Sequence, residues 1–185
     1  MYQKNFTQRD YTNQPIEKGE YESCVFSNCE FSSADLSGVV FIDCQFIGCN
    51  LSMAKLFKTS LQDVTFKDCK LLALRFDKCE PIGLAFEFSN CVIDHASFYQ
   101  CKIKKTKFQK CRLIEVDFVQ ADLAGSIFDN CDLSGAIFER TNLENSDFRS
   151  AFNFNMNPEA NRMKKAKFSL EGVKGLLGKY GIEIS

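Results

Sequence analysis

Every fifth residue of this chain is bulky and apolar over most of its length, and few folds can use such a period. One series runs Tyr21, Phe26, Phe31, Leu36, Phe41, Phe46, Leu51, Leu56, Leu61, Phe66, Leu71, and Phe76 closes it. It resumes two residues out of phase as Phe88, Ile93, Phe98, Ile103, Phe108, Leu113, Phe118, Leu123, Phe128, Leu133, Phe138, Leu143 and Phe148. In a chain that is 45% hydrophobic, chance would fill all these slots with a probability of about 10^-9. Two residues before each bulky slot stands a small one, holding Cys, Ala, Val, Thr or Ser almost throughout, with Leu74 the clear exception. All ten cysteines lie on these small slots.

A second period gives the number of units per turn. Phe6, Phe26, Phe46 and Phe66 are spaced by twenty, and so are Phe88, Phe108, Phe128 and Phe148. Cys29, Cys49, Cys69, Cys91, Cys111 and Cys131 repeat that spacing across the same slip of two residues. Four five-residue sides per turn put each set in one column. Such self-similarity marks a solenoid, whose units bury their apolar faces only by stacking on neighbours. Rungs about 4.8 Å apart make six to eight coils a rod roughly 30–35 Å long.

Segments such as Ala121-Asp122-Leu123-Ala124-Gly125 and Cys131-Asp132-Leu133-Ser134-Gly135 resemble the units of the pentapeptide-repeat family over residues 21–152. The resemblance implies an all-β fold, a right-handed quadrilateral parallel β-helix with bulky and small slots both facing inward. Spacing alone gives a four-sided solenoid without its hand. The expected organisation is one domain: β-helix over 1–168, with 1–20 a degenerate coil, a bulge at 80–87 and an irregular excursion at 153–162. Residues 169–185 then form a C-terminal α-helix cap and a short strand.

The cysteines read as compact core filler. No C-x-x-C occurs and the spacings fit no zinc motif, so no metal or cofactor is expected. Without an apolar leader or a stretch of transmembrane length, the expectation is a cytoplasmic protein with reduced thiols and no membrane contact. His95 is the sole histidine, and a filled rod offers no concavity for converging catalytic groups, so enzyme activity is not expected.

Three breaks in the grid are the natural places for function. Lys4, Arg9 and Gln14 fall on small slots, where charge is costly to bury, so the first coil reads as an end cap. At the second break Pro81 takes a bulky slot, and Pro81, Ile82, Leu84 and Phe86 cannot all face inward, which makes the bulge a candidate partner-binding site. A bulge folded back over the core is the alternative. At the third, Asn153 and Pro158 take bulky slots, Met163 and Phe168 suggest a last face, and Ser169 reads as an N-cap. Val173, Leu176, Leu177 and Tyr180 then follow at helical spacing with Gly181 as the stop. In the family such a terminal helix joins two rods, so these four residues are the candidate dimer interface of a homodimer; a lid over the last coil is the plainer role.

Charge is uneven although the net is −1. Residues 101–112 carry six Lys and Arg with no acid, and residues 113–148 carry eight acids against Arg140 alone. The latter form a candidate acidic belt that includes Asp117, Asp122, Asp129, Asp132, Glu139, Glu144 and Asp147. Two coils about 10 Å tall would match the roughly six charges of B-DNA over that length. The acids nonetheless fall on all four sides, as a solvated surface also would. The chain resembles the fluoroquinolone- and albicidin-resistance branch of the family, whose rods imitate DNA and bind DNA gyrase. That implies a gyrase partner without direct nucleic-acid binding. Two departures stand against it: the long loops of the quinolone-resistance members are missing, and the sequence pI is only 5.9. A general protein-interaction scaffold is the alternative.

Overall fold

Each five-residue unit turns one corner, and the backbone there explains the period. The residue two after a bulky slot is left-handed, as at Asn28 (φ 52°), Asp43 (φ 51°) and Gly48 (φ 64°), a region that Gly, Asn and Asp enter most cheaply. The computed structural model describes residues 1–183, and these corners wind the chain into a right-handed, four-sided parallel β-helix. One side is a seven-stranded parallel sheet of β1 (Asn5–Thr7), β3 (Val25–Ser27), β5 (Gln45–Ile47), β7 (Val64–Lys67), β8 (Phe86–Ser89), β9 (Lys107–Gln109) and β10 (Ile127–Asp129). The adjacent side holds three strands, β2 (Glu20–Glu22), β4 (Val40–Ile42) and β6 (Ser60–Gln62). The remaining rungs are held by isolated parallel bridges.

Register follows the twenty-residue step: Phe6 pairs with Phe26, Phe26 with Phe46 and Phe46 with Phe66, then Phe66 with Phe88 across the slip. Nine phenylalanines from Phe6 to Phe168 stack in one column with ring centroids 4.6–5.3 Å apart. Opposite stand Phe76, Phe98, Phe118 and Phe138, 4.6–5.2 Å apart. The two columns meet edge to face, as at Phe108 and Phe118 (6.1 Å, 82°), the geometry that ring quadrupoles favour.

Many small slots share one bonding pattern. Their thiols and hydroxyls donate to the carbonyl 23 residues upstream: Cys49 Sγ to Phe26 O (3.3 Å), Thr59 Oγ1 to Leu36 O (2.8 Å) and Thr141 Oγ1 to Phe118 O (2.9 Å). Thr106 Oγ1 donates instead to Ile103 O (2.9 Å). Backbone bridges from Glu30 through Asn50, Lys70, Val92 and Arg112 to Asp132 hold Cys29, Cys49, Cys69, Cys91, Cys111 and Cys131 in one column. All ten cysteines are free and buried. Burial pushes the Cys44 thiol up to about 11 and the Cys101 thiol up to about 12, so both stay protonated and unreactive at neutral pH.

At the bulge, Pro81 stands where the column of Tyr21, Phe41 and Leu61 needs its next member. The chain turns out through Ile82 and Gly83 (φ 74°) and re-enters with Ala85 N–H bonded to Leu61 O (2.9 Å). Phe86 then pairs with Val64, so it occupies a small slot and is a second exception beside Leu74. Its ring is buried, 5.2 Å from Phe76 and 5.0 Å from Phe88. A large side chain in a small slot thereby fills the space that the missing bulky residue leaves.

The C-terminal end differs from expectation. In place of an α-helix, two 3-10 segments run over Gly172–Leu176 and Gly178–Tyr180. Gly172, Gly175 and Gly178 recur every third residue, which puts them on one face of a helix with three residues per turn. That face lies against Phe154 and Asn155: a Cβ on Gly175 would sit 2.7 Å from the Phe154 ring, and one on Gly178 2.6 Å from Asn155 Oδ1. Gly175 O accepts the Met156 N–H (2.9 Å), and Ser169 Oγ accepts the Gly172 N–H (3.0 Å). Phe154 and Met156, inside the irregular excursion, are themselves buried. The expected strand at residues 182–184 falls partly outside the described residues, and Ile182 is not in a strand.

Candidate interaction surfaces

The bulge splits its apolar residues by depth. Phe86 is buried, Leu84 lies half-buried against the core, and Ile82 is 78% exposed beside the exposed Pro81. Together with Tyr99, 38% exposed, Pro81, Ile82 and Leu84 line a groove of about 510 Å³ whose floor is Phe76 and Cys79 and whose rim carries Lys78 and Lys102. Asp77 below it is sealed by Arg75 (2.7 Å) and Lys78 (3.1 Å). One rung down the same side, Phe57 is 60% exposed. Sequence reasoning missed Phe57 and Tyr99; the signal was aromatic residues directly after a bulky slot, at outward positions.

Six of the seven belt acids, all but Glu139, are half-buried. Asp117, Asp122, Asp132 and Asp147 each precede a bulky residue, and each Oδ1 accepts the backbone N–H two residues on, at 2.9, 3.3, 3.1 and 3.1 Å. These are Asx turns, a local backbone role of aspartate. Asp122 also meets Lys104 (3.3 Å), Asp147 meets Arg149 (2.7 Å) and Glu144 meets Arg162 (2.9 Å). Asp129 accepts from Ser150 Oγ (2.9 Å). Glu139 is exposed. The guanidinium of Arg149 holds the Asp147 carboxyl below the usual carboxylate range.

At the C-terminal end Leu176 and Leu177 are half-buried, Leu176 against the core, while Val173 and Tyr180 face solvent with Leu170, which is 97% exposed. Tyr180 and Lys179 both contact Glu159. His95 sits on a corner beside Glu115 (3.2 Å), both exposed. Among the described residues, no group of three or more His, Cys, Asp or Glu is placed to hold a metal ion, and no helix is long and apolar enough to cross a membrane.

A four-sided right-handed β-helix filled by Phe and Cys columns defines a class of repeat rods that present outer surfaces instead of an enclosed site. Models of the pentapeptide repeat region match residues 16–87, 41–111 and 85–155, and the chain belongs to the pentapeptide-repeat family. Among solved structures it is similar to a trypsin-treated form of QnrB1, a plasmid-mediated fluoroquinolone resistance protein. They share 20% identity and a TM-score of 0.66, with 100% of this chain and 99% of that one covered. Full-length QnrB1 gives 19% identity and a TM-score of 0.53, over 98% and 99%. At such identity the likeness is one of fold. No curated protein matches the sequence.

Proposed function

We propose that this chain is a non-enzymatic interaction protein whose partner is DNA gyrase, which it protects or modulates. The observation that supports the reading is the end-to-end likeness of fold to a fluoroquinolone resistance protein, together with repeat units resembling the gyrase-binding branch. The bulge groove around Ile82 and Tyr99 is the proposed protein contact, since exposed apolar side chains ringing a concavity suit a protein partner. The test is a gyrase supercoiling assay with and without a quinolone. Protection from the drug, or a change in supercoiling, at micromolar protein is expected; no effect in either arm removes gyrase as the partner.

A second reading, a protein-interaction scaffold without DNA mimicry, is favoured by one observation. Four of the seven belt carboxylates named above cap corners of their own coil, so their placement serves the backbone. If mimicry operates, replacing Asp129 and Glu139 by Asn and Gln weakens any effect on gyrase; an unchanged effect favours the scaffold. The proposed homodimer uses the C-terminal end, where Leu170, Val173 and Tyr180 are exposed. Leu170→Asp with Val173→Asp is expected to yield a monomer by sedimentation, and an unaltered dimer would place the interface elsewhere.

A further inference from the structure

A basic motif occurs twice on one edge of the rod. Lys102, Lys104, Lys105 and Lys107 recur as Arg162, Lys164, Lys165 and Lys167, sixty residues on, each set followed by a column phenylalanine, Phe108 or Phe168. Sixty residues are three full turns, so the two sets share columns. Bridges run in line from Lys102 through Asp122 and Asn142 to Arg162, and pairing runs from Lys107 through Ile127 and Asp147 to Lys167. The rings of Phe108, Phe128, Phe148 and Phe168 step by 4.9, 4.6 and 5.3 Å, which puts the clusters about 15 Å apart along the axis, as three β rungs require. All eight cations are exposed.

The ground between the clusters differs in kind. Its carboxylates, Asp122, Glu144 and Asp147, are engaged by Lys104, Arg162 and Arg149, and the corner itself carries Gly125 and Asn145. Within the described residues Lys102, Lys105, Lys164, Lys165 and Lys167 have no carboxylate within salt-bridge distance. Half a turn away, the opposite corner presents Glu115 flanked by Asp117 and Asp132. The rod is therefore polarised across its width in this half, with five unpaired cations clustered at two points on one edge, while Lys110 and Arg140 stand singly on the adjacent corners.

We infer that this edge docks a nucleic-acid duplex through its phosphate backbones, one strand on each cluster. An acidic peptide laid along the edge would run its own carboxylates past Asp122, Glu144 and Asp147. A duplex crossing the rod instead places its charge on the two walls of a groove and leaves the groove open over the gap. The B-DNA major groove is about 12 Å wide, and flexible lysine stems bridge the remaining difference to the cluster spacing. Contact of this kind positions without reading sequence. It is independent of the gyrase reading, and it departs from the expectation of no direct nucleic-acid contact.

The test uses the full chain and a labelled, short mixed-sequence DNA duplex followed by fluorescence anisotropy between about 50 and 200 mM salt. Binding is expected to fall steeply with salt, with a log–log slope of about −4.5 for five available cations. Lys102→Gln with Lys105→Gln, and separately Lys164→Gln with Lys165→Gln and Lys167→Gln, should each weaken binding about 10-fold or more and flatten the slope by about two to three. Either set should lose most of what both lose together, because the two clusters act as one bivalent site. Lys4→Gln with Arg9→Gln, at the far end, should bind as the native chain does. Unaltered melting temperatures show that these surface changes leave the fold intact. The inference is overturned if the native chain shows no salt-dependent binding or if the cluster variants bind like it. It is equally overturned if polyglutamate displaces the duplex as well as unlabelled DNA does, which would assign the edge to an acidic protein.

Discussion

Two adjacent sides of the rod meet the same insertion and respond differently. On the side of the long phenylalanine column, β7 pairs directly with β8 across the two-residue slip, and the rings keep their spacing at 5.3 Å between Phe66 and Phe88. On the neighbouring side the three-stranded sheet stops at β6, and farther up only isolated bridges such as Lys102 to Asp122 hold that side. A column of large stacked rings carries register past an interruption because each ring is positioned by the one below. The side that met Pro81 lost both a bulky residue and a ladder donor, and Phe86 replaced the volume but not the strand. Unbroken ring stacking and unbroken strand pairing together keep that first side of the solenoid in phase.

The comparison is broken most severely from its strong side. Phe108→Ala removes a ring stacked at 5.1 and 4.9 Å between Phe88 and Phe128 and is expected to cost about 3–5 kcal/mol of stability in chemical denaturation. Phe86→Ala should cost as much if its ring really replaces the missing column member. A loss under about 1 kcal/mol would mean that the interior closes without it. Pro81→Leu, which restores a bulky slot without removing the insertion, should not rescue Phe86→Ala.

Alkaline pH compares the two sides through their small slots, since Cys44 serves the unbroken side and Cys101 the interrupted one. Both folded pKa values are raised above the ordinary 9.0, to about 11 and about 12. The unfolded chain therefore loses these protons first. Stability is full below pH 9 and declines as pH rises through 11 to 12, with each thiol contributing a slope of about 1.4 kcal/mol per pH unit between its unfolded and folded values. Thermal melts at stepped pH check this, and Cys44→Ala and Cys101→Ala should each flatten the decline. If only Cys101→Ala does so, the interrupted side is the one sealed from solvent.

At the end of the rod, Gly175→Ala forces a Cβ against the Phe154 ring and is expected to cost about 1–3 kcal/mol by overpacking. Gly181→Ala, where a Cβ meets nothing within 4 Å but φ is +60°, should cost about 1 kcal/mol. Equal effects would mean that the lid does not press on Phe154.

What the sequence made legible follows the same division. The long column could be followed to Phe168 because stacking imposes one residue type at one spacing. Phe86 escaped because a large residue in a small slot is meaningful only once Pro81 has emptied the space beside it, a relation between two columns. The C-terminal turns were misassigned because Val173, Leu176, Leu177 and Tyr180 fit a 3.6 period, while the decisive signal was glycine at a period of three. The belt acids were visible as charge, and their corner bonds were not, since an Asx turn is a matter of backbone geometry.

Those corner bonds give the smallest contrast. Asp122 lies on the interrupted side, where its carboxylate bonds the Ala124 N–H and accepts from Asn142 Nδ2 (2.8 Å). Asp129 lies on the strand-bearing side and bonds side chains only, at Ser150, Asn130 and Gln109. With single bridges to Lys102 and Asn142 in place of a strand ladder, the Asp122 corner depends more on its side chain. Asp122→Ala is expected to cost about 1 kcal/mol and Asp129→Ala less than about 0.5 kcal/mol. Amide exchange at Ala124 should quicken in the first variant, with no counterpart near Asp129 in the second. The reverse order would show that the corners on the ring-column side are the weaker ones, and that ring stacking leaves its own backbone loose.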